Sequence, residues 1–172
     1  MSDGKPAANG RFIAIGSIYT PFKTSDDTPI HGTASNAKGT VAVQPEFADG
    51  LTDMEGFDRI WLLYLGPAEN REQMRIIPRL DQVARGVFST RSPRRPNPIG
   101  LVCVKINKIV GCTLHVEGVD MVDGSLLLDI KPYVPRFDAY SEAWAGWLEN
   151  RVPHERAWQH RDIEGAPSQH DQ

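Results

Sequence analysis

Apolar residues recur along most of the chain in short runs, separated by Gly, Pro, Asn and Asp. The runs 11–18 (RFIAIGSI), 38–44 (KGTVAVQ), 57–65 (FDRIWLLYL), 85–89 (RGVFS), 100–109 (GLVCVKINKI), 112–119 (CTLHVEGV) and 125–131 (SLLLDIK) are rich in Val, Ile, Leu and aromatic residues. That pattern predicts antiparallel strands joined by turns. Within 101–106 a period of two puts Val102, Val104 and Ile106 on one face and Leu101, Cys103 and Lys105 on the other, so one face packs inward. Asp123-Gly124, between two apolar runs, reads as a hairpin turn. About seven short strands with little helix predict an all-β fold, a small closed or partly closed β-barrel, because closure removes exposed strand edges.

Helical spacing is confined to 139–150 (AYSEAWAGWLEN), where Tyr140, Trp144, Trp147 and Leu148 fall three or four apart. It predicts a short C-terminal helix packed over one end of the barrel. The chain therefore divides into a polar tail at 1–10, a barrel domain at 11–138, a helical extension at 139–162 and a second tail at 163–172.

Composition narrows the function. A chain of 172 residues, 40% of them hydrophobic, supports one full core. Its formal charge of -3 argues against coating nucleic acid by bulk electrostatics. A local patch exists nonetheless: seven arginines (71, 75, 79, 85, 91, 94 and 95) stand against Glu72 and Asp81. Cys103 and Cys112 lie in strand-like surroundings without a CxxC and read as reduced structural thiols. The five histidines show no metal-site spacing, so no metal is expected. There is no Gly-x-Gly, which excludes the Rossmann fingerprint, no Walker phosphate loop can be drawn, and there is no GxSxG elbow. Neither a signal peptide nor a membrane span is evident, and a cytoplasmic location is expected.

The sharpest chemical feature is 86–100, GVFSTRSPRRPNPIG. Pro93, Pro96 and Pro98 bias Ser92, Arg95 and Asn97 toward extended backbone and stiffen the loop. Arginines on a stiff loop have already lost part of their ordering entropy, and their planar forks suit carboxylate or phosphate. The stretch 118–133, GVDMVDGSLLLDIKPY, gathers Asp120, Asp123 and Asp129. Together the two segments are suited to frame a zwitterionic or cationic small molecule, with arginine for its anionic end and carboxylate for its cation or hydroxyls.

GVFSTRSPRRPNPIGL (86–101), GVDMVDGSLLLDIKPYVP (118–135), IGSIYTPF (15–22) and PEFADGLTDMEGFDRIWLL (45–63) resemble the TsaA/TrmO family of S-adenosylmethionine-dependent methyltransferases. The resemblance implies a small all-β barrel that binds S-adenosylmethionine near a homodimer interface. It also implies methylation of the exocyclic N6 amine of threonylcarbamoyl-modified adenosine beside the tRNA anticodon. Carried over by position, the cofactor site falls on His31, Gly32 and Thr33, on Phe88, Ser89, Thr90, Arg91 and Arg95, and on Met121, Val122, Asp123 and Gly124. Asp129, Lys131 and Tyr133 match the second signature, with Asp129 as candidate base and Lys131 and Tyr133 on the substrate side together with Arg94.

Departures bear on the substrate. Arg59 and Arg94 replace residues that are commonly histidine, or histidine or phenylalanine, in the family, and Gly66-Pro67 replaces an aromatic-histidine pair. Only 37 residues follow Pro135, which predicts a helix and tail rather than the C-terminal domain that long bacterial members carry for RNA binding. A cofactor-binding sensor or interaction module, or a methyltransferase with a non-RNA acceptor, is therefore weighed beside the tRNA reading.

Overall fold

The computed structural model describes residues 12–32, 35–66, 72–149 and 151. Its strands are β1 (Gly16–Tyr19), β2 (Lys38–Val43), β3 (Arg59–Leu65), β4 (Arg75–Ile76), β5 (Arg85–Gly86), β6 (Ile99–Val110), β7 (Thr113–Glu117) and β8 (Ser125–Pro132). Six of these close a barrel in the order β1-β2-β7-β6-β3-β8, every neighbouring pair antiparallel, with β8 returning to β1. β4 and β5 form a separate two-stranded ribbon.

The inward face is aliphatic. Ile60 and Leu62 of β3 stand opposite Val104 and Val102 of β6, and Val41 of β2 stands between Ile18 of β1 and Leu114 of β7. All are essentially inaccessible to water, and each such side chain contributes about 1.5–3 kcal/mol by leaving water. The expected alternation in β6 is present, with Leu101 turned outward at 49% exposure.

The expected strand at 85–89 is cut short. Only Arg85–Gly86 is extended, and Val87–Ser89 turns into a short 3-10 coil. Ser89 Oγ donates to Gly86 O and Thr90 Oγ1 to Val87 O, both at 2.8 Å. These local side-chain bonds compete with ladder formation.

The Asp123-Gly124 signal is also corrected. Ser125 N–H does close a tight turn on Val122 O at 3.2 Å, but it does not join neighbouring strands: β7 lies between β2 and β6, β8 between β3 and β1. Val119 and Met121 plug the barrel end at 0% and 2% exposure, and that burial carries the chain across instead of back. The β6–β7 hairpin turns instead at Gly111–Cys112.

Helix α1 covers only Pro135–Asp138. The helix expected over 139–150 is not formed in its described part, which carries a 3-10 turn at Gly146–Leu148. Gly146 adopts φ +62, off the right-handed helical path, and Tyr140 and Trp144 are 80% and 88% exposed instead of packed on the barrel. Residues 1–10, 152–162 and 163–172 lie outside the described residues. Among the described residues no helix is long and apolar enough to cross a membrane.

Leu62→Ala is expected to lower unfolding free energy by about 2–5 kcal/mol, and Val110→Ala, 50% exposed at the end of β6, by only about 0.5 kcal/mol, in urea titrations followed by circular dichroism.

Candidate functional site at the mouth of the barrel

Strand direction decides where the chemistry gathers. Because every neighbour is antiparallel, the β1–β2, β3–β6 and β7–β8 connections all leave the same end, here the mouth. The β2–β3 and β6–β7 connections lie at the other end. His31 and Gly32, the arginine loop and the aspartate crossover are thus brought together from three separate stretches of sequence.

Arg91 Nη1 donates to His31 Nε2. Burial, and then the Arg91 charge, hold the His31 imidazole below its usual range, so it is neutral near pH 7 and accepts that bond. A Cβ on Gly32 would stand 2.5 Å from Gly118 O and 2.6 Å from Val102 Cγ2, so only glycine lets this backbone reach the barrel end. The Gly32 backbone N–H supports the Asp120 carboxylate. Tyr64 Oη donates to Asp120 Oδ1 at 3.5 Å. The Tyr64 ring fills the space over Gly100, where a Cβ would come within 2.0 Å of Tyr64 Cζ.

Electrostatics follow from this packing. Burial pushes the Asp120 carboxyl up to about 6, against the opposing pull of Gly32 N–H, Arg91 and Tyr64. Burial and the neighbouring Asp120 push the Tyr64 hydroxyl up, which keeps it a neutral donor. A guanidinium and a half-buried carboxylate therefore share one mouth, as the two charged segments of the sequence implied. Among the described residues no group of His, Cys, Asp and Glu gathers as a metal site.

The other expected residues divide. Arg95 is a strut: Nε donates to Ser92 O at 2.9 Å, and Nη2 to Val87 O at 3.0 Å and Thr90 O at 2.5 Å. Arg94 ties the loop to Gln73, through Oε1 at 3.2 Å and the Gln73 N–H at 3.0 Å. Phe88 is 77% exposed beside Ser89 and Thr90. Met121 is buried and its carbonyl accepts from Thr20 Oγ1 at 2.8 Å. Val122 closes the turn with Ser125, and Gly124 N–H donates to Ile18 O at 2.9 Å. Asp123 takes Lys23 Nζ at 2.7 Å and Thr20 N–H at 2.9 Å, and the Lys23 bond holds its carboxyl below the usual range. Thr33 lies outside the described residues.

Asp129, Lys131 and Tyr133 are elsewhere. Asp129 stands opposite Leu63, next to but facing away from Tyr64, on the outside of the wall. It pairs with Lys131 Nζ at 2.8 Å. Tyr133 packs edge-on against Trp61 with ring centroids 5.7 Å apart, toward the far end. Nothing in the linear sequence marks Tyr64, and Asp120 stands there as one of three clustered aspartates. A signal for Asp120 was present in its position between Val119 and Met121, the two apolar anchors of a crossover.

The arginine loop is held from behind. Asp81, whose side chain is 1% exposed, accepts from Arg85 Nη2 at 2.7 Å and Arg151 Nη1 at 3.2 Å. Arg85 lies over the Trp147 ring at 5.2 Å, and Trp147 Nε1 donates to Ser89 O at 2.8 Å.

A closed antiparallel barrel with a charged, loop-built mouth and no glycine-rich phosphate loop defines a class of small non-Rossmann ligand-binding β-barrel. The profile of the tRNA-methyltransferase O N-terminal domain matches residues 17–139. The chain belongs to that family. It is 44% identical over 139 residues to a probable S-adenosyl-L-methionine-binding protein of Pyrococcus abyssi, covering 80% of this chain and 76% of that one. It is 42% identical over 93 residues to the mouse tRNA (adenine(37)-N6)-methyltransferase, covering 52% of this chain and 21% of that one. The crystal structure of TrmO from Pseudomonas aeruginosa superimposes with a TM-score of 0.70 at 32% identity, covering 84% of this chain and 65% of that one. This chain thus spans under two thirds of that TrmO and about a fifth of the mouse enzyme.

Trp147→Phe removes the bond to Ser89 O and is expected to speed amide exchange at residues 87–91 about tenfold, for a hydrogen bond worth 0.5–1.5 kcal/mol. Hydrogen-exchange mass spectrometry is expected to show β6 unchanged.

Proposed function

We propose that this chain is a cytoplasmic, homodimeric methyltransferase that uses S-adenosylmethionine to methylate the N6 amine of adenosine 37 in tRNA, with the threonylcarbamoyl-modified nucleoside as acceptor. The observation that carries the reading is the meeting of Arg91 and Asp120 at one mouth, in a chain whose relatives bear S-adenosylmethionine-binding and tRNA-methyltransferase names. Opposite charges at a glycine-lined mouth fit a small zwitterion, and the fit is local to residues of this chain. In this reading Gly32, Thr33 and the backbone of Phe88, Ser89 and Thr90 line the cofactor, Arg91 holds its carboxylate, and Asp123 and Gly124 fix the turn behind it.

S-adenosylmethionine supplies the electrophilic methyl group when bound. The chain's own part is positioning, which by itself supplies a large share of such a rate. Arg95 and Trp147 keep the loop in one shape, and Tyr64 and Gly32 hold Asp120 in place. Asp129 faces away from the mouth within one protomer, so we assign the acceptor's proton to a group of the modified nucleoside or to water. Arg94, Lys131 and Tyr133 are exposed or half-exposed and are assigned to the RNA side. The homodimer draws support from the outer wall, where Leu101 and Leu126 are 49% and 45% exposed on the ladders beside Leu63 and Leu65.

A binding module without catalysis is the second reading. It is favoured by one observation: most of the arginines are engaged within the protein, Arg79 with Ser25 and Thr28 carbonyls, Arg85 with Asp81 and Arg95 with its own loop.

Calorimetry is expected to show S-adenosylmethionine binding that Arg91→Ala weakens about tenfold, as for loss of a charge-assisted bond. Labelled methyl groups are expected to pass to tRNA from cells lacking this modification, with tRNA affinity falling steeply as salt rises. Binding without transfer to any tRNA would favour the module or a different acceptor.

A further inference from the structure

We propose that Asp120 is the group that meets the positive charge of the bound cofactor, and that through it the protein distinguishes the sulfonium from the uncharged thioether left after transfer. The inference rests on the S-adenosylmethionine reading above and adds to it a residue and a selectivity.

The geometry singles out this carboxylate. Asp123, three residues on, is already satisfied by Lys23 and Thr20, and Asp26 faces Arg79. Among the described residues, the groups facing Asp120 are Tyr64 from β3, the Gly32 N–H from the β1–β2 connection, and Arg91 from the loop ahead of β6, with His31 bonded to Arg91 behind it. The Tyr64 bond is long at 3.5 Å, so it compensates the charge weakly. Burial outweighs these three supports, since the carboxyl titrates upward to about 6 instead of downward. A cation arriving at this point relieves the burial cost of the ionised form. Arg91 supplies the opposite sign for the ligand's carboxylate. The sulfonium form carries one more positive charge than the thioether, so a carboxylate at this place favours it.

A proton linkage follows. The free carboxylate is half protonated near pH 6, and a bound cation favours its ionised form. Binding therefore releases about half a proton at pH 6 and almost none above pH 8, and cofactor affinity rises with pH through that window. The Tyr64 bond lowers the Asp120 value, so Tyr64→Phe moves the window upward. Among the described residues His31, already held low, also titrates near the mouth, and any release that persists in Asp120→Asn belongs to it or to the ligand's own amino group.

The test is calorimetry of the full chain with S-adenosylmethionine and with S-adenosylhomocysteine, from pH 5 to 8, in buffers of different ionisation enthalpy. Expected for the wild type are a preference for the sulfonium of about tenfold at pH 7.5 that shrinks toward equality at pH 5, and proton release centred near 6. Asp120→Asn is expected to lose both preference and release, and Tyr64→Phe to keep the preference with its midpoint raised. Thermal melts check that each variant is folded, and if Asp120→Asn fails to fold, the fall of the wild-type preference between pH 7.5 and pH 5 decides. Tight binding with equal affinity for both ligands at pH 7.5, or a preference that does not fall toward pH 5, overturns this inference and leaves the cofactor reading standing. Absence of wild-type binding at every pH overturns the cofactor reading and this inference with it.

Discussion

When β8 pairs with β1 through Gly16–Leu127, Ser17–Leu126 and Ile18–Ser125, the sheet loses its free edges and strand direction is fixed all the way around the ring. That closure sends the β1–β2, β3–β6 and β7–β8 connections, which build the candidate site, out of one end. Tyr64, Gly100 and Leu127 lie on adjacent strands at this end, so the last inward-facing ring of the core is also the floor of the mouth. Val119 and Met121 seal it from below, and Asp120 between them is left facing the polar side.

The arginine-rich loop is ordered by its own charges. An Arg95 guanidinium that bridges Val87, Thr90 and Ser92 carbonyls replaces the ladder bonds that a strand would have made there. Pro93, Pro96 and Pro98 lack backbone donors, and so do not add to the groups needing partners. Of Arg91, Arg94 and Arg95, it is Arg91 that reaches across to the β1–β2 connection, at His31. The result is a loop that presents the exposed Arg91 guanidinium at the mouth beside His31 while Arg94 and Arg95 hold its shape, and such preorganisation lowers the cost of ligand ordering.

Much of the barrel was legible because its strands obey a period of two: the Val102/Val104 face and the 38–44, 57–65 and 125–131 runs appear in place to within a residue or two. The ribbon strand Arg75–Ile76 was not, since two residues carry no period. The aromatic spacing at 139–150 misled because a period counts side chains and ignores a backbone such as Gly146 that leaves the helical region. Asp123-Gly124 misled for a related reason: a local turn preference was real, but burial of Val119 and Met121 set where the chain went next. In the candidate site, the nearness of His31, Gly32 and Arg91 was legible through the family resemblance. Tyr64 was not, because its part depends on Gly100 across the ladder, a pairing that linear sequence does not display.

The central claim is that the cofactor sits at the mouth, between the arginine loop and the Asp120 crossover. Backbone amide NMR during titration with S-adenosylhomocysteine tests it directly. Shifts concentrated at residues 31–32, 64, 87–95 and 118–124, with Pro45–Leu51 and the β6–β7 hairpin unmoved, are the predicted result. Shifts centred on Lys131, Tyr133 and Trp61 at the outer wall, with the mouth silent, would contradict it.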